Sequence, residues 1–366
     1  MKEYIDTVIV GAGQAGVAAS YFLQQYQIDH IVLEKECAFS KWSKRWGSFH
    51  MNTANWMNSL PGETEKFAKE APRNALGSKA DAMRYFEAYL ASVKPPIRQY
   101  TEVTLVEQTR KFTWEVHTAD TIYAVQNVVI CTNPLQKPRV PSIASALPAT
   151  IAQLHSSEYQ SPGQIQPGNV LIVGSGNSGV QICEDLAKSG RFNKITFSVS
   201  GNLTFPLEIL GISIYTFIRW FRLVDFKPNS WLGRKLFKSN KGDPTIPPSP
   251  KQLAEMYGVN LVGRVIGIDR AGIRCSDART IPLDALSIVW CTGYQANYDF
   301  IKPLNKDMVF DRAGQPVHKR GVIAASPNLY FVGLRFQYTV GSHSIYGVGK
   351  DAQYVAQCIA ERKSNN

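Results

Sequence analysis

Three glycines near the start of the chain have the spacing of a phosphate-binding turn. Gly11, Gly13 and Gly16 follow the apolar, β-branched run 7–10 and precede a helix-compatible apolar stretch, 17–23. Gly11 permits a tight turn, Gly13 lets a pyrophosphate approach the backbone, and Gly16 lets the helix pack closely on the strand. The phosphates would then lie on free N–H groups at the helix N-terminus. The pattern predicts a dinucleotide-binding βαβ unit.

An acidic residue strengthens that prediction. The next apolar run, 31–33, is followed by Glu34, about 20 residues after the glycines. A carboxylate at the end of the second strand accepts hydrogen bonds from the ribose hydroxyls of a bound dinucleotide. Because strand, glycine turn, helix and acid occur together, an ordinary structural glycine turn is the less favoured interpretation.

A second turn of the same kind runs from Gly174 to Gly179, after the apolar run 170–173. The next predicted strand, 194–198, ends in Ser198, where the first unit has its acid. Because no carboxylate is there to repel a ribose 2′-phosphate, this unit is predicted to favour NADP over NAD. The preference is modest, since no arginine follows Ser198 to bind that phosphate.

The cysteines and the charge narrow the chemistry. The six cysteines are scattered singly, with no CxxC and no Cys/His cluster, so neither a metal site nor a redox-active cysteine pair is predicted. The net charge of +11 suits anionic cofactors and substrates as well as nucleic acid. The sequence has no Lys/Arg-rich tail and no nucleic-acid motif, so we expect no nucleic-acid partner.

Length and hydropathy set the remaining bounds. A chain of 366 residues is expected to form two or three domains. No apolar run reaches the ~18 residues of a membrane-spanning helix. Residues 1–3 lead directly into the first predicted strand, which predicts the absence of a signal peptide. We therefore expect a cytoplasmic protein without an integral membrane segment.

The predicted elements form an α/β fold with two Rossmann-like dinucleotide-binding domains, the second inserted in the first. Residues 102–123 predict a small antiparallel β meander. A buried strand ends near Thr132, and three prolines then mark a domain exit. The strand 287–294 is predicted to mark the return, and a last strand, 328–333, feeds a final helix at about 350–362. The predicted domains are 1–160 with 285–366, and 161–284.

A basic and aromatic insert, at about 207–250, interrupts the second domain. Its first part, 207–223, is apolar and aromatic but includes Arg219, and basic residues follow. Three roles compete: helices that cap the active site, a homodimer surface, and peripheral contact with a membrane through 207–241. We favour the cap, because added segments in nucleotide-binding domains commonly cover the site.

The two glycine turns, with the strands 289–294 and 328–333, resemble the flavoproteins that have two dinucleotide-binding domains. Within them the chain looks most like the flavin-containing monooxygenases of the YUCCA-type and CzcO-like group. Residues 154–159 match the second half of the family's FxGxxxHxxx(Y/F) signature. Trp42 stands where the family has a tryptophan beside the flavin, and Asn52 where it has an asparagine over the isoalloxazine. The resemblance covers nearly the whole chain.

The chain departs from the family pattern at three places. The first half of the signature is lost, since its Phe and first Gly would be Ala149 and Ile151. Asn133 replaces a glycine, and the arginine after the second unit's second strand is absent. The alternative interpretation of His155 is a capped linker residue, and that of Asn52 is a satisfied structural amide.

The resemblance implies an FAD-dependent, NADPH-using monooxygenase. NADPH would reduce the flavin, and O2 would add to it as a C4a-hydroperoxyflavin shielded by NADP and Asn52. This species would oxygenate a small soft nucleophile, at S or N, or a carbonyl compound, and needs no catalytic base. The alternatives are a flavoprotein reductase or oxidase without oxygenation, and a non-catalytic FAD/NADP-binding sensor. A disulfide reductase would need the paired cysteines that the chain lacks.

The same resemblance assigns candidate residues. Asn52 is the candidate catalytic residue, and His155 and Tyr159 belong to the linker signature. Candidates for FAD binding are Gly11, Gly13, Gln14, Ala15, Gly16, Glu34, Lys35, Trp42, Arg45, Asn52, Val103, Cys131, Thr132, Gly333 and Gly349. Candidates for NADP binding are Gly174, Ser175, Gly176, Asn177, Ser178, Gly179, Ser198, Ser200, Cys291, Thr292 and Gly293.

Overall fold

The structure is a computed structural model. It describes residues 1–62, 67, 71–109, 113–201, 204, 206–227, 230–231, 234 and 245–364. Phe112 of the predicted meander and three basic residues of the insert, Lys235, Lys238 and Lys241, lie outside the described residues.

The first sheet is built on a parallel core around the strand that precedes the first glycine turn. This strand, β1 (Lys2–Val10), pairs in parallel with β2 (His30–Leu33) and β8 (Ile122–Ile130). β5 (Ile97–Arg98) extends the sheet beyond β2, and β22 (Leu329–Phe331) pairs with β8. Both faces of β1 and β8 are covered, which explains why their inner halves read as unbroken apolar runs.

The predicted antiparallel meander completes this sheet. β6 (Leu105–Gln108) pairs with β7 (Trp114–His117), and β7 pairs with β8, both antiparallel. β21 (Ile301–Lys302) then adds to β6 in parallel. Val103 precedes β6 and packs partly buried against the same core. The chain thus returns to the first sheet after the second sheet is complete.

The second sheet has five parallel strands. Their order is β10 (Ala152–His155), β19 (Leu286–Trp290), β11 (Asn169–Val173), β12 (Lys194–Ser198) and β15 (Asn260–Val262). Since these strands lie between the two parts of the first sheet in sequence, the predicted insertion of one Rossmann-like unit in the other is confirmed.

The predicted domain limits need correction. They assign 152–155 and 286–290 to the first domain, whereas β10 and β19 are strands of the second sheet. The sequence pattern misassigned β19 because β19, like β8, ends beside a glycine turn. The turn beside β19 is the second one, so the strand belongs to the second unit. β9 (Lys137–Pro138) and β20 (Tyr294–Gln295) pair antiparallel between the two sheets. We therefore propose that the two chain crossings lie at this β9–β20 pair.

The helices of the first unit cover its sheet. They are α1 (Gln14–Gln25), α2 (Ser40–Ser43), α3 (Lys79–Val93) and, at the C-terminus, the long helix Ile345–Ser364. A capping box begins α3, because Ser78 and Asp81 each bond to the other's backbone N–H. The C-terminal helix begins five residues earlier than predicted, at Ile345.

The second unit and the return segment carry the other helices of the described residues. These are α4 (Asn177–Lys188), α5 (Ile214–Trp220), α6 (Pro250–Tyr257) and α7 (Lys306–Val309), so the C-terminal helix is α8. Single 3-10 turns occur at Asn55–Met57, Ser142–Ala146, Pro162–Gln164 and Leu223–Asp225. None of the helices in the described ranges combines the length and hydropathy needed to cross a membrane.

Besides the β9–β20 pair, the described residues form three small antiparallel sheets outside the two large ones. β3 (His50–Ala54) pairs with β4 (Leu76–Ser78), and β13 (Glu208–Ile209) with β14 (Ile212–Ser213). β16 (Val265–Asp269), β17 (Gly272–Cys275) and β18 (Thr280–Ile281) form the third. β3 carries Asn52.

Candidate active site

The first glycine turn leaves open space at one position. Gly11 has φ +102°, and a Cβ built on Gly16 would lie 1.8 Å from the Gly11 carbonyl oxygen, so both positions require glycine. A Cβ built on Gly13 meets no atom within 4 Å. The backbone is therefore open only at Gly13, where a pyrophosphate must approach, and α1 begins at the next residue.

Glu34 lies against this turn. Its carboxylate accepts hydrogen bonds from the backbone N–H of Ala12, at 2.8 Å, and of Glu36, at 3.0 Å. The preceding residue, Leu33, accepts the Gly11 N–H at 2.8 Å. The acid is thus placed beside the phosphate turn, as a ribose-binding carboxylate should be. Lys35, which follows it, is exposed.

Aromatic and basic side chains flank the start of α1. The Trp42 Nε1–H donates to Gln14 Oε1 at 3.1 Å, which ties the tryptophan to the first helical residue. The Arg45 guanidinium lies 5.4 Å from the Phe49 ring centroid, and its buried Nε has no partner in the described part of the chain. Burial lowers the pKa of Arg45, and a nearby anion would relieve that cost.

Two glycines from the C-terminal part complete the first unit. Gly333 has φ +91°, and a Cβ built on it would lie 2.9 Å from the Ala15 Cβ. Gly349 lies within α8, where its position would bring a Cβ 3.6 Å from Pro61. A Cβ on Gly347 would lie 2.2 Å from the Gly341 carbonyl oxygen. This glycine therefore allows close packing within α8 and does not break the helix, which explains why α8 begins earlier than predicted.

The second glycine turn repeats the first. Gly174 has φ +106°, and a Cβ on Gly179 would lie 1.9 Å from the Gly174 carbonyl oxygen. The turn continues through Ser175 and Gly176 into α4, whose first residues are Asn177 and Ser178. The Asn177 Oδ1 accepts the Ile246 N–H at 3.0 Å, which brings the far end of the insert to this turn.

The register of the two units corrects the predicted role of Ser198. Val10 pairs with Leu33, and Val173 pairs with Ser198, so Ser198 corresponds to Leu33 and the next residue, Val199, takes the place of Glu34. The prediction placed the corresponding position one residue too early, because nothing in the two sequences marks which residues of β2 and β12 correspond. The absence of a carboxylate at this place still holds.

Ser198 is buried and engaged within the protein. Its hydroxyl donates to the Gly263 carbonyl at 2.9 Å and accepts the Val265 N–H at 3.2 Å. Ser200, by contrast, is exposed, and its N–H donates to Ser175 Oγ at 3.1 Å. Of the predicted serines, the structure therefore brings Ser175 and Ser200 together at the turn and turns Ser198 away.

A cysteine directly follows the strand beside each glycine turn. A Cβ built on Gly11 would lie 3.1 Å from the Cys131 carbonyl oxygen, and one built on Gly174 would lie 2.4 Å from that of Cys291. Both thiols are buried, and burial raises the pKa of each. Their place in the fold is a close backbone contact, and their thiols stay protonated.

The departure at Asn133 has a conformational explanation. Asn133 has φ +60°, and the corresponding Gly293 has φ +82°. Asparagine tolerates the left-handed region better than other side chains, and here its Oδ1 also accepts the Leu135 N–H at 2.9 Å. Next to them, Thr132 Oγ1 accepts from Gln136 and the Thr292 hydroxyl donates to the Arg139 carbonyl.

The two linker residues bond to the second unit. His155 Nε2 lies 3.1 Å from the Gly293 carbonyl, and its Nδ1 accepts the Ser157 N–H at 3.1 Å, so Nε2 carries the proton. The Tyr159 hydroxyl donates to Asp185 Oδ2 at 2.6 Å. Both side chains thus tie the linker to the second unit.

The exposed amide of Asn52 is held from the second unit. Its Oδ1 accepts from the Nε2 of Gln181, on α4, at 3.0 Å. Its backbone carbonyl accepts from the buried Tyr215 hydroxyl, on α5, at 2.9 Å. Neither partner was predicted from the sequence, because no local pattern marks a contact across 129 or 163 positions.

The first part of the insert packs beside Asn52. Tyr215 forms one apolar cluster with Ala54 and Met57, which follow Asn52 in the chain. The Gly341 N–H donates to the Val224 carbonyl at 2.9 Å, so the insert also contacts the segment before α8. This contact supports the predicted cap. The insert exposes Leu210, Trp220 and Phe221, so a dimer or membrane contact stays a prediction.

Comparison with known proteins identifies the family. The model of the pyridine nucleotide-disulphide oxidoreductase family matches residues 8–204. A CzcO-like oxidoreductase of Geobacillus kaustophilus is 34% identical, over 98% of this chain and 99% of the relative. The probable indole-3-pyruvate monooxygenase YUCCA4 of Arabidopsis thaliana is 27% identical, over 97% of this chain and 90% of the relative. The chain belongs to this family, in its flavin-containing monooxygenase branch.

A solved structure supports the fold. The flavin-containing monooxygenase from Stenotrophomonas maltophilia superimposes with a TM-score of 0.76 over 99% of both chains, at 22% identity. Its family makes the chain an NAD(P)H-dependent flavoprotein monooxygenase whose cofactors are FAD and NADP(H). The first turn fits FAD, because its open position at Gly13 and the acid at Glu34 are where the pyrophosphate and ribose require them.

The buried linker histidine of this protein, His155, predicts a pH dependence of stability. Burial lowers the pKa of His155 below the ordinary value of about 6.5. As pH falls below that value, the unfolded state binds a proton that the folded state does not, so the free energy of unfolding falls. The loss is at most about 1.4 kcal/mol per pH unit for one proton.

Chemical denaturation of wild type and His155→Gln between pH 7.5 and 5 measures this effect. Three other histidines, His30, His50 and His318, also have pKa values lowered by burial and contribute to both proteins. The difference therefore isolates His155, and we expect the shallower slope in the variant. Equal slopes would contradict the assignment.

Proposed function

We propose that this enzyme uses NADPH and O2 to oxygenate a small soft nucleophile, at S or N, or a carbonyl compound, through a C4a-hydroperoxyflavin. The observation that carries the proposal is the exposed Asn52 amide, which lies where the first unit, the second unit's helix α4 and the insert meet. An amide there can donate a hydrogen bond to an oxygen atom held between the two cofactor units.

The chain's own residues have distinct tasks in this proposal. The turn from Gly11 to Gly16 binds the FAD pyrophosphate and Glu34 its ribose. The turn from Gly174 to Gly179, with Ser200, binds the nicotinamide dinucleotide. The flavin, when bound, accepts hydride and activates oxygen. Asn52 donates to the reacting oxygen, and the insert limits access of water to it.

The cysteines support oxygenation over disulfide reduction. All six are free, and burial raises the thiol pKa of Cys131, Cys183 and Cys291. Thiol–disulfide exchange requires a thiolate that a partner can reach. The carbonyl class has separate support: the YUCCA4 relative is named for indole-3-pyruvate, so we propose 2-oxo acids among the substrates to test.

Rapid mixing of the NADPH-reduced protein with O2 tests the proposal. We expect the absorbance of a hydroperoxyflavin, and oxygenated product in the presence of thioethers, amines or 2-oxo acids. Reoxidation straight to flavin and H2O2 with every substrate class would favour the oxidase alternative. A flavin that NADPH does not reduce would favour the non-catalytic sensor.

The corrected register gives a prediction on nucleotide choice. Val199 occupies the place of Glu34, and the adjacent serines leave the 2′ position without negative charge. We expect wild type to prefer or accept NADPH. Val199→Glu should lower kcat/KM for NADPH relative to NADH, because a carboxylate beside the 2′-phosphate costs roughly 1–3 kcal/mol.

Val199→Gln is the matched control, since it has the same shape without the charge. The measurement is kcat/KM for both nucleotides in all three proteins. Equal shifts in the Glu and Gln variants would point to packing, and a wild type with a strong NADH preference would refute the assignment.

A further inference from the structure

Gln181 bonds to a strand of the other unit. It lies on α4, whose N-terminus is the second glycine turn, and its side chain is buried. Its Oε1 accepts the His50 N–H at 3.3 Å, and its Nε2 donates to the His50 carbonyl at 3.1 Å. The same Nε2 donates to Asn52 Oδ1 at 3.0 Å. One amide thus pairs with β3 much as a neighbouring strand would.

These bonds fix which end of each amide is the donor. The nitrogen and oxygen of an amide side chain have nearly the same shape, so hydrogen-bond partners decide their orientation. A backbone N–H only donates and a carbonyl only accepts, so His50 determines that Gln181 presents its NH2 group. That group then determines that Asn52 presents Oδ1 to Gln181, which directs its Nδ2 away from α4.

The Nδ2 of Asn52 is the free donor of this arrangement. In the described part of the chain it has no hydrogen-bond partner, and the side chain is exposed. The backbone of Asn52 is held separately by Tyr215, whose pKa burial raises to about 12, so this phenol stays protonated and donates. The strand is thus held from both α4 and α5, while among the described residues only Gln181 bonds to the amide.

We infer that Gln181 is a positioning residue that turns the Asn52 amide so that its N–H group faces the reacting oxygen. The inference rests on the proposed role of Asn52. It also links that amide to nucleotide binding, because Gln181 and the Gly174–Gly179 turn belong to the same helix and its start. Displacement of α4 would disturb the orientation of Asn52 directly.

Gln181→Glu tests the inference with the least change of shape. A carboxylate cannot donate to Asn52 Oδ1, so the Asn52 amide loses the bond that orients it. We expect FAD content and the rate of flavin reduction by NADPH to stay close to wild type. The fraction of NADPH electrons lost as H2O2 should rise roughly two- to tenfold, the effect of one neutral hydrogen bond.

Two further variants test whether the effect of Gln181→Glu comes from misfolding or from the added charge. Gln181→Met removes both donor and acceptor without a charge and should uncouple in the same direction. Gln353→Glu makes the same chemical change at an exposed position of α8 and should leave coupling unchanged. Melting temperature and flavin absorbance report whether each variant is folded.

Asn52→Ala, measured beside them, separates the two proposals. If Asn52→Ala uncouples, an Asn52→Ala/Gln181→Glu double variant should lose no further coupling, because both changes act through one amide. If Asn52→Ala uncouples but folded Gln181 variants do not, the role of Gln181 is refuted and that of Asn52 stands. If Asn52→Ala itself leaves coupling unchanged, both are refuted.

Discussion

The Gly13→Val protein is expected to fold and to purify without FAD. Gly13 has φ −82° and extended ψ, which valine adopts freely, and a Cβ there meets no protein atom within 4 Å. The added side chain therefore occupies only the space that the pyrophosphate needs. We expect FAD affinity to fall by about a hundredfold or more, which corresponds to about 2.8 kcal/mol.

Flavin released by denaturation and binding of added FAD measure this effect. Wild type should release FAD and no FMN. Gly163→Val is the control, because its Cβ also has room, away from the turn. Gly16→Val should fail to fold, since its Cβ would overlap the Gly11 carbonyl. A Gly13→Val protein that retains FAD would refute the binding site.

The Asn52→Ala protein is expected to bind FAD and oxidise NADPH but to release more H2O2 and less oxygenated product. Removal of the amide takes away one hydrogen bond to the reacting oxygen, worth roughly 1–3 kcal/mol. The fold should persist, because Asn52 is exposed and its backbone bond to Tyr215 does not need the side chain.

Product formed per NADPH consumed, with a true substrate, is the deciding measurement. Asn74→Ala serves as control, since the Asn74 side chain donates to Thr216 Oγ1 on α5 and not to Asn52. It reports the effect of a looser insert alone. Unchanged coupling in Asn52→Ala would remove this residue from the mechanism.

Steric demands explain what could be predicted from the sequence. Gly11, Gly16, Gly174 and Gly179 are required because carbonyl groups lie where their Cβ atoms would be. This constraint is visible in any single sequence. The Ser78–Asp81 capping box is equally local. The two-unit fold followed from these signals and from the buried parallel strands.

The features that could not be predicted from the sequence depend on contacts between distant residues. The one-residue register at Ser198 depends on which strand atoms pair, and the membership of β19 depends on its neighbours in the sheet. Gln181 and Tyr215 look like ordinary helix residues, and only the packing of α4 and α5 on β3 gives them a partner. Periodicity carries no information about such pairs.

The burial of the cysteines beside the glycine turns affects how the enzyme is damaged by oxidation. A monooxygenase that loses some electrons to H2O2 produces an oxidant for its own thiols. Peroxide reacts with thiolates that it can reach, whereas Cys131 and Cys291 are enclosed and burial holds their pKa high. Burial also raises the pKa of Cys358, so we expect oxidative damage to begin at the partly exposed Cys37.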